Sequence, residues 1–253
     1  MIKYISSREN KIVKQTISLQ KKSSRQKLSL FVAEGKRISQ EALLWAKDSI
    51  SYFLISESFN AKNPDFTDGF ETYMLPDDLF SKVCETENPQ GILCVIKFLS
   101  ASSSLSSNVL ILDEVSEPGN MGTILRTADA MGFKSIFITK GSADIYNSKV
   151  IRSTMGSIFR LNFHFEEDYA FINKLKEKEY KIISAALKDS VSLEETPVFS
   201  KNAIVIGNEA NGISREILSM SDIITKIDMI GNAESLNAGV AAGIIMYKYS
   251  KVN

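Results

Sequence analysis

Between residues 108 and 250 the chain alternates short, continuous apolar runs with segments of helical spacing, and no other feature narrows its fold as far. The runs are VLILD (109–113), SIFIT (135–139), KIISAAL (181–187), AIVIG (203–207) and IITKIDM (223–229). A strand with one wet face alternates apolar and polar residues. Unbroken apolar runs suit a parallel sheet covered by helices on both sides. Helices predicted over 120–131, 146–156, 168–178, 213–220 and 236–250 supply that cover. A doubly wound α/β domain binds its ligands beyond the carboxyl ends of its strands. The loops after Asp113, Leu187, Gly207 and Met229 are therefore the places to look for chemistry.

Upstream, helical spacing at Ile12, Ile17 and Leu19 gives way to a polar, basic stretch, and EGKRISQEALLWAKD (34–48) reads as a better helix. SYFLIS, FETYML and GILCVIKFL read as strands, with PDDLFSKV as a helix opened by Pro76. Residues 100–107 read SASSSLSS, a linker composition between two apolar stretches. The expected organisation is a small α/β domain (1–99), a serine-rich linker (100–107) and the parallel-sheet domain (108–253).

Composition excludes several function classes. Hydrophobic residues make up 44% of the 253 and charged residues 24%, which is enough for a globular core. No apolar run approaches the roughly 18 residues of a membrane span, and the basic N-terminus lacks the apolar core of a secretory signal. The expectation is a cytoplasmic protein with no membrane partner. Cys84 and Cys94 read as reduced apolar residues rather than a disulfide framework. The single histidine, His164, alternates with Phe163 and Phe165 as a strand residue would, and reads as structural filling. With no second histidine and no cysteine near it in sequence, no metal is expected.

The net charge is zero, but its distribution is uneven. Residues 1–37 hold ten lysines and arginines against two glutamates, so net +8 there faces net −8 elsewhere. Such asymmetry points one end of the chain at a polyanion, with Lys11, Lys14, Lys21 and Lys22 as candidate contacts; a solvated basic helix is the plain alternative.

Three loops have unusual compositions. In DEVSEPGNMGTILRTADAMG (113–132), Asn120 opens a predicted helix that carries Arg126; by themselves they read as a cap and a surface cation. In AIVIGNEANGIS (203–214), a buried strand runs into Gly207, which permits close backbone approach, and Gly212, which permits a turn. Glu209 there has the plain reading of a carboxylate at its own helix N-terminus. Ile213 stands where a phosphate-binding loop needs lysine, and no Gly-x-Gly-x-x-Gly occurs, which counts against nucleotide triphosphates and dinucleotides. In KIDMIGNAESLNAGVAAGIIMYKYS (226–250), Ser235 and Asn237 flank the start of a helix apolar on nearly every side; N-capping is their plain reading. Such a helix belongs in a core or a subunit interface.

Taken in this order and spacing, PGNMGTILRTA, IGNEANGIS and ESLNAGVAAGI resemble the three signature motifs of the SpoU/TrmH family in the SPOUT superfamily of RNA methyltransferases. KVIRSTMGSIFRL (149–161) resembles the family's stretch between the first two motifs, and the resemblance covers about residues 108–250. Upstream, FVAEGKRISQEAL is similar to the family's RNA-binding module.

The resemblance implies a C-terminal domain with a deep trefoil knot, a homodimer with the knot in its interface, and S-adenosylmethionine as cofactor. It implies methyl transfer to a ribose 2'-hydroxyl of structured RNA, ribosomal RNA being favoured over transfer RNA. By position, Gly207, Ile227 and Leu236 match cofactor-contacting residues, and Asn120, Arg126, Glu209, Ser235 and Asn237 match catalytic and site-organising ones. Arg126 has two readings, as base or as positioner of the hydroxyl and phosphate, since arginine normally stays protonated. Ser235 and Asn237 are expected to hold Arg126 or the ribose. The competing classes are a catalytically silent RNA-binding protein on the same fold and a nucleotide-dependent enzyme on an ordinary Rossmann sheet.

Overall fold

The computed structural model describes residues 2–100 and 102–250. The first hundred residues carry β1 (Ile2–Tyr4), α1 (Lys11–Ser18), α2 (Lys22–Leu28), β2 (Leu30–Glu34), α3 (Lys36–Trp45), β3 (Ile50–Ser56), α4 (Glu57–Lys62), β4 (Thr72–Leu75), α5 (Asp77–Val83) and β5 (Ile92–Lys97). Then follow β6 (Asn108–Leu112), α6 (Pro118–Ala130), β7 (Ser135–Thr139), α7 (Ser148–Thr154), β8 (Asn162–Glu166) and α8 (Ala170–Glu177). The remainder is β9 (Lys181–Ala185), β10 (Val191–Ser192), β11 (Asn202–Ile206), α9 (Arg215–Met220), β12 (Ile223–Lys226) and α10 (Ala238–Ser250).

These elements form two compact units, and the first takes a late piece of chain: residues up to Leu99 together with Asp144–Phe159. Its sheet has the order β1-β4-β3-β5-β2, with β5 antiparallel to both β3 and β2. Phe31, Phe53, Leu54 and Val95 are wholly buried in it. Aromatic stacking and ion pairing attach the late piece. Tyr146 stacks on Phe31 and Phe98, ring centroids 4.7 and 4.1 Å apart. Asp144 accepts from Nε and Nη2 of Arg25, at 3.1 and 2.6 Å. Arg25 Nη1 donates to the carbonyls of Leu19 and Gln20, so this buried guanidinium is satisfied inside the protein. It is therefore structural, although sequence counting places it among the basic residues facing a polyanion.

In the second unit all seven strands run parallel, in the order β10-β12-β9-β11-β6-β7-β8. Every residue of β11 and β7 is buried, as expected of strands that helices cover on both faces. The two additions to the expected five strands are edges. On the edge strand β8, Phe163 is buried, Phe165, two residues on and on the same face, is exposed, and His164 on the opposite face stacks on Phe137 with ring centroids 4.6 Å apart. β10 is two residues long, too short to leave a periodic signal.

Several predicted bounds shift, with physical causes. The first helix opens at Pro118, whose missing N–H costs nothing in a first turn, so Asn120 lies inside the helix rather than at its cap. The chain leaves the sheet at Ala185 and Lys226, which puts Leu187, Ile227 and Met229 in loops. The last helix has two faces. Gly239, Ala242, Ile245, Met246 and Tyr249 are buried, and α10 packs most extensively against α6. Close approach needs small residues: a Cβ on Gly239 would stand 3.2 Å from Thr123 Cγ2 of α6.

Candidate active site

The second unit brings its motif loops together at the carboxyl ends of the central strands. Asp113, just past β6, is wholly buried. Its carboxylate accepts from the Ser214 N–H at 2.8 Å and the Thr139 hydroxyl at 3.1 Å, tying the loops after β6, β7 and β11 together. Past β11 the chain makes a tight hairpin in which Asn208 and Gly212 exchange backbone hydrogen bonds of 2.9 and 3.0 Å. Asn208 Oδ1 closes the turn by accepting from the N–H groups of Ala210 and Asn211, while its Nδ2 donates to the Glu114 carbonyl. Motif composition alone does not single out Asn208; the Asn-Glu-Ala-Asn-Gly run is the Asx-turn signal that would find it.

Gly207 is required by this hairpin. A Cβ there would come within 2.4 Å of the Gly212 carbonyl carbon and 2.5 Å of the Ile213 nitrogen. The close approach expected of this glycine is thus an approach to its own backbone. Gly212 has φ of +72°, which favours glycine for a different reason.

From this hairpin Glu209 reaches the N-terminus of α6 rather than that of the following helix. Its carboxylate accepts from Asn120 Nδ2 at 2.8 Å, the Ser116 hydroxyl at 3.1 Å, and the Ser116 and Glu117 N–H groups at 3.2 Å. Partial burial alone would push this carboxyl up, but the hydrogen bonds from Asn120 and the backbone outweigh it and hold it below the ordinary glutamate value. The N-terminal end of a helix also favours a negative charge.

The third motif joins through Asn120. Its Oδ1 accepts from Asn237 Nδ2 at 2.8 Å, and Asn237 Oδ1 accepts from the N–H groups of Gly239 and Val240. Asn237 therefore caps α10 and orients Asn120 at once. The chain Glu209–Asn120–Asn237 links all three motifs. Arg126 stays outside it: its side chain is exposed and makes no hydrogen bond or ion pair with a described residue. The Asn237 amide is committed to Asn120 and not to Arg126. Ser235 is exposed in the loop before α10.

Gly207 lies two residues past Val205, which pairs with Ser184 of β9; Ile227 lies two past Thr225, which pairs with Ala185 on the other side of β9. The two stand nearly level across the same sheet edge. Ile227 and Leu236 are half-buried. Among the described residues, the backbone groups of 227–236 make no hydrogen bonds to other backbone groups. Apolar side chains beside uncommitted backbone donors and acceptors fit an adenosine held mainly through main-chain contacts.

The SpoU rRNA Methylase family model matches residues 107–247, and the MRM3-like substrate binding domain model matches residues 10–94. The chain belongs to the SpoU rRNA methylase family. It is 34% identical over 246 residues to the 23S rRNA (guanosine(2553)-2'-O)-methyltransferase RlmP of Bacillus subtilis, a match covering 97% of this chain and 98% of that one. An rRNA methyltransferase from Sinorhizobium meliloti, also solved with S-adenosylmethionine bound, superposes with a TM-score of 0.87 at 25% identity over 98% of this chain and 97% of that one. AviRb from Streptomyces viridochromogenes shares the fold, with a TM-score of 0.85 at 22% identity over 96% of this chain and 98% of that one. As a SpoU-family member the chain is an S-adenosylmethionine-dependent RNA methyltransferase, which sets aside the silent and nucleotide-dependent readings.

Among the described residues, no cluster of histidine, cysteine, aspartate and glutamate has a metal-binding arrangement. No helix there is long and apolar enough to cross a membrane. Both cysteines are free thiols, and burial pushes the Cys94 thiol up to about 12.

Proposed function

We propose that this enzyme methylates a ribose 2'-hydroxyl of ribosomal RNA in the cytoplasm. The observation that carries the reading is the hydrogen-bonded chain from Glu209 through Asn120 to Asn237, which joins three separate loops at the ligand-binding edge of the sheet. The RlmP relative, matched over nearly the full length of both chains, favours ribosomal RNA and the 2'-oxygen. Bound S-adenosylmethionine supplies an electrophilic methyl group on a sulfonium. Ile227, Leu236 and the backbone around Gly207 would hold it. Glu209 fixes the start of α6 and the Asn120 amide, and Asn237 fixes the start of α10. Arg126, an exposed cation with no hydrogen bond or ion pair to a described residue, either takes the hydroxyl proton as base, or positions the hydroxyl and its neighbouring phosphate while water takes the proton. Ser235 contributes a hydroxyl from the same side.

The remaining assignments belong to the same proposal. Residues 1–99 serve as the RNA-binding domain and 108–253 as the methyltransferase domain, joined by 100–107, with the C-terminal segment threaded as a trefoil knot. Lys11, Lys14, Lys21 and Lys22, all exposed, meet RNA phosphates; Lys14 also pairs with Glu9. The functional unit is a homodimer. Val240, Ile244 and Tyr247 form an exposed apolar stripe on α10, 51%, 41% and 53% accessible, of the kind a second copy covers. Calorimetry with S-adenosylmethionine tests the cofactor site. Micromolar binding that Leu236→Asp weakens supports it, and unchanged binding in that variant contradicts it.

A further inference from the structure

The first unit holds a cleft of about 300 Å³, which is at the lower end of the range for small-ligand sites. Three stretches line it. Glu34, Gly35, Arg37 and Ile38 come from the β2–α3 turn; Thr86, Asn88 and Gln90 precede β5; Arg152 and Met155 come from the end of α7. Gln90 Oε1 accepts the Lys36 N–H at 2.8 Å, which joins two of these stretches and shapes the cleft in advance.

Its charge balance is one-sided. Glu34 is the sole carboxylate in the lining, and it is already engaged by the Glu85 N–H at 3.1 Å and the Thr86 hydroxyl. Arg37 makes no side-chain hydrogen bond or ion pair with a described residue. Nη1 of Arg152 is buried without a hydrogen-bond partner among the described residues. A buried donor left unsatisfied is costly and rare, so this guanidinium gains from an acceptor brought into the cleft. Guanidinium forks match phosphate oxygens, and two of them in one cleft favour an anion of that geometry. Ile38 and Met155 offer apolar contact for a base, while Asn88 offers an amide to its edge.

We propose that this cleft takes one unpaired nucleotide of the substrate RNA, with its phosphate between Arg37 and Arg152 and its base against Ile38 and Met155. The proposal rests on the ribosomal-RNA reading above and adds a recognition site distinct from the methyltransferase loops and from the four lysines.

The test measures binding of the full chain to unmodified 23S rRNA transcript across a salt series. Arg37→Ala with Arg152→Ala should weaken binding at least ~10-fold and flatten the log-affinity against log-salt slope by roughly 0.7 to 0.9, the value for one lost phosphate contact. S-adenosylmethionine affinity should stay unchanged. Arg37→Glu alone alters an exposed residue, so it tests the cleft without touching the core. It should weaken RNA binding in the same direction. Wild-type affinity and slope in both variants would overturn the cleft while leaving ribosomal RNA as substrate. A wild-type chain that binds no rRNA would overturn the substrate reading and this site with it. Guanosine monophosphate serves as the free-nucleotide probe. Tight, saturable binding lost in Arg37→Glu, beside an unaltered RNA slope, would assign the cleft to a free nucleotide and overturn the proposal.

Discussion

Glu209 and Asn120 lie 89 residues apart in the chain, yet the Asn120 amide donates to the Glu209 carboxylate at 2.8 Å. The same carboxylate receives two backbone N–H groups from the entry to α6, so one side chain sets both the position of the helix and the orientation of its first functional amide.

Replacing Glu209 by Gln exchanges an acceptor for a donor in front of these N–H groups. Methyl transfer should fall at least ~10-fold, and stability by about 1 kcal/mol, a figure reduced for the partial exposure of the site. Urea denaturation and a turnover assay measure the two effects. Full activity in the variant would show that Glu209 does not organise the site.

A pH titration examines the same group. Its folded-state pKa lies below the ordinary glutamate value of 4.5, so its contribution to stability is present above that value and is lost as pH falls through the folded value. Wild-type stability should therefore drop more steeply than that of Glu209→Gln in the acid range below about pH 4.5. Parallel curves would contradict the hydrogen-bond geometry.

Gly207→Ala should destabilise the protein by about 1 to 3 kcal/mol, because its Cβ meets backbone that no side-chain rotation can move. Gly231→Ala, in the following loop, meets nothing within 4 Å and should be neutral. Equal denaturation midpoints for the two variants would disprove the hairpin geometry.

Arg126→Ala should keep stability within about 0.5 kcal/mol, since the side chain is exposed and pairs with no described residue. Methyl transfer should fall at least ~10²-fold with cofactor affinity within a few-fold, the pattern of a group that acts on the reacting hydroxyl. Unaltered turnover on an RNA that the wild type methylates would remove Arg126 from the reaction.

Neutralising Lys11, Lys14, Lys21 and Lys22 together should flatten the salt slope of RNA binding by roughly 2 to 4. An unchanged slope would leave α1 and α2 as solvated helices. The net +8 of residues 1–37 overstates the charge available there, because Arg25 is internal and pairs with Asp144 and Lys3 pairs with Glu71, both acids outside the segment.

The central strands are legible in the sequence because burial on both faces makes their middles continuously apolar, as in IFI of β7 and AIVI of β11. The edges are not. β1 packs too little to show a pattern, β10 is two residues long, and β8, at the sheet's edge, sets Asn162, His164 and Glu166 between its two phenylalanines. The motif residues Asn120, Glu209 and Asn237 are legible by composition and order. Their hydrogen bonds are not, since the partners are brought together only by the parallel sheet. Nor does the sequence reveal that Asp144–Phe159 packs with the first unit, where Tyr146 stacks on Phe31 and Asp144 meets Arg25. Those contacts depend on side chains more than a hundred residues apart.

The most direct measurement incubates the full-length enzyme with labelled S-adenosylmethionine and 23S rRNA from cells lacking the gene, then maps alkali-resistant linkages. A methyl on the 2'-oxygen removes the hydroxyl that attacks the adjacent phosphodiester, so one labelled, alkali-resistant position should appear with the wild type and be absent with Arg126→Ala. Label on a base, or none on rRNA when the cofactor binds, would contradict ribose methylation of ribosomal RNA.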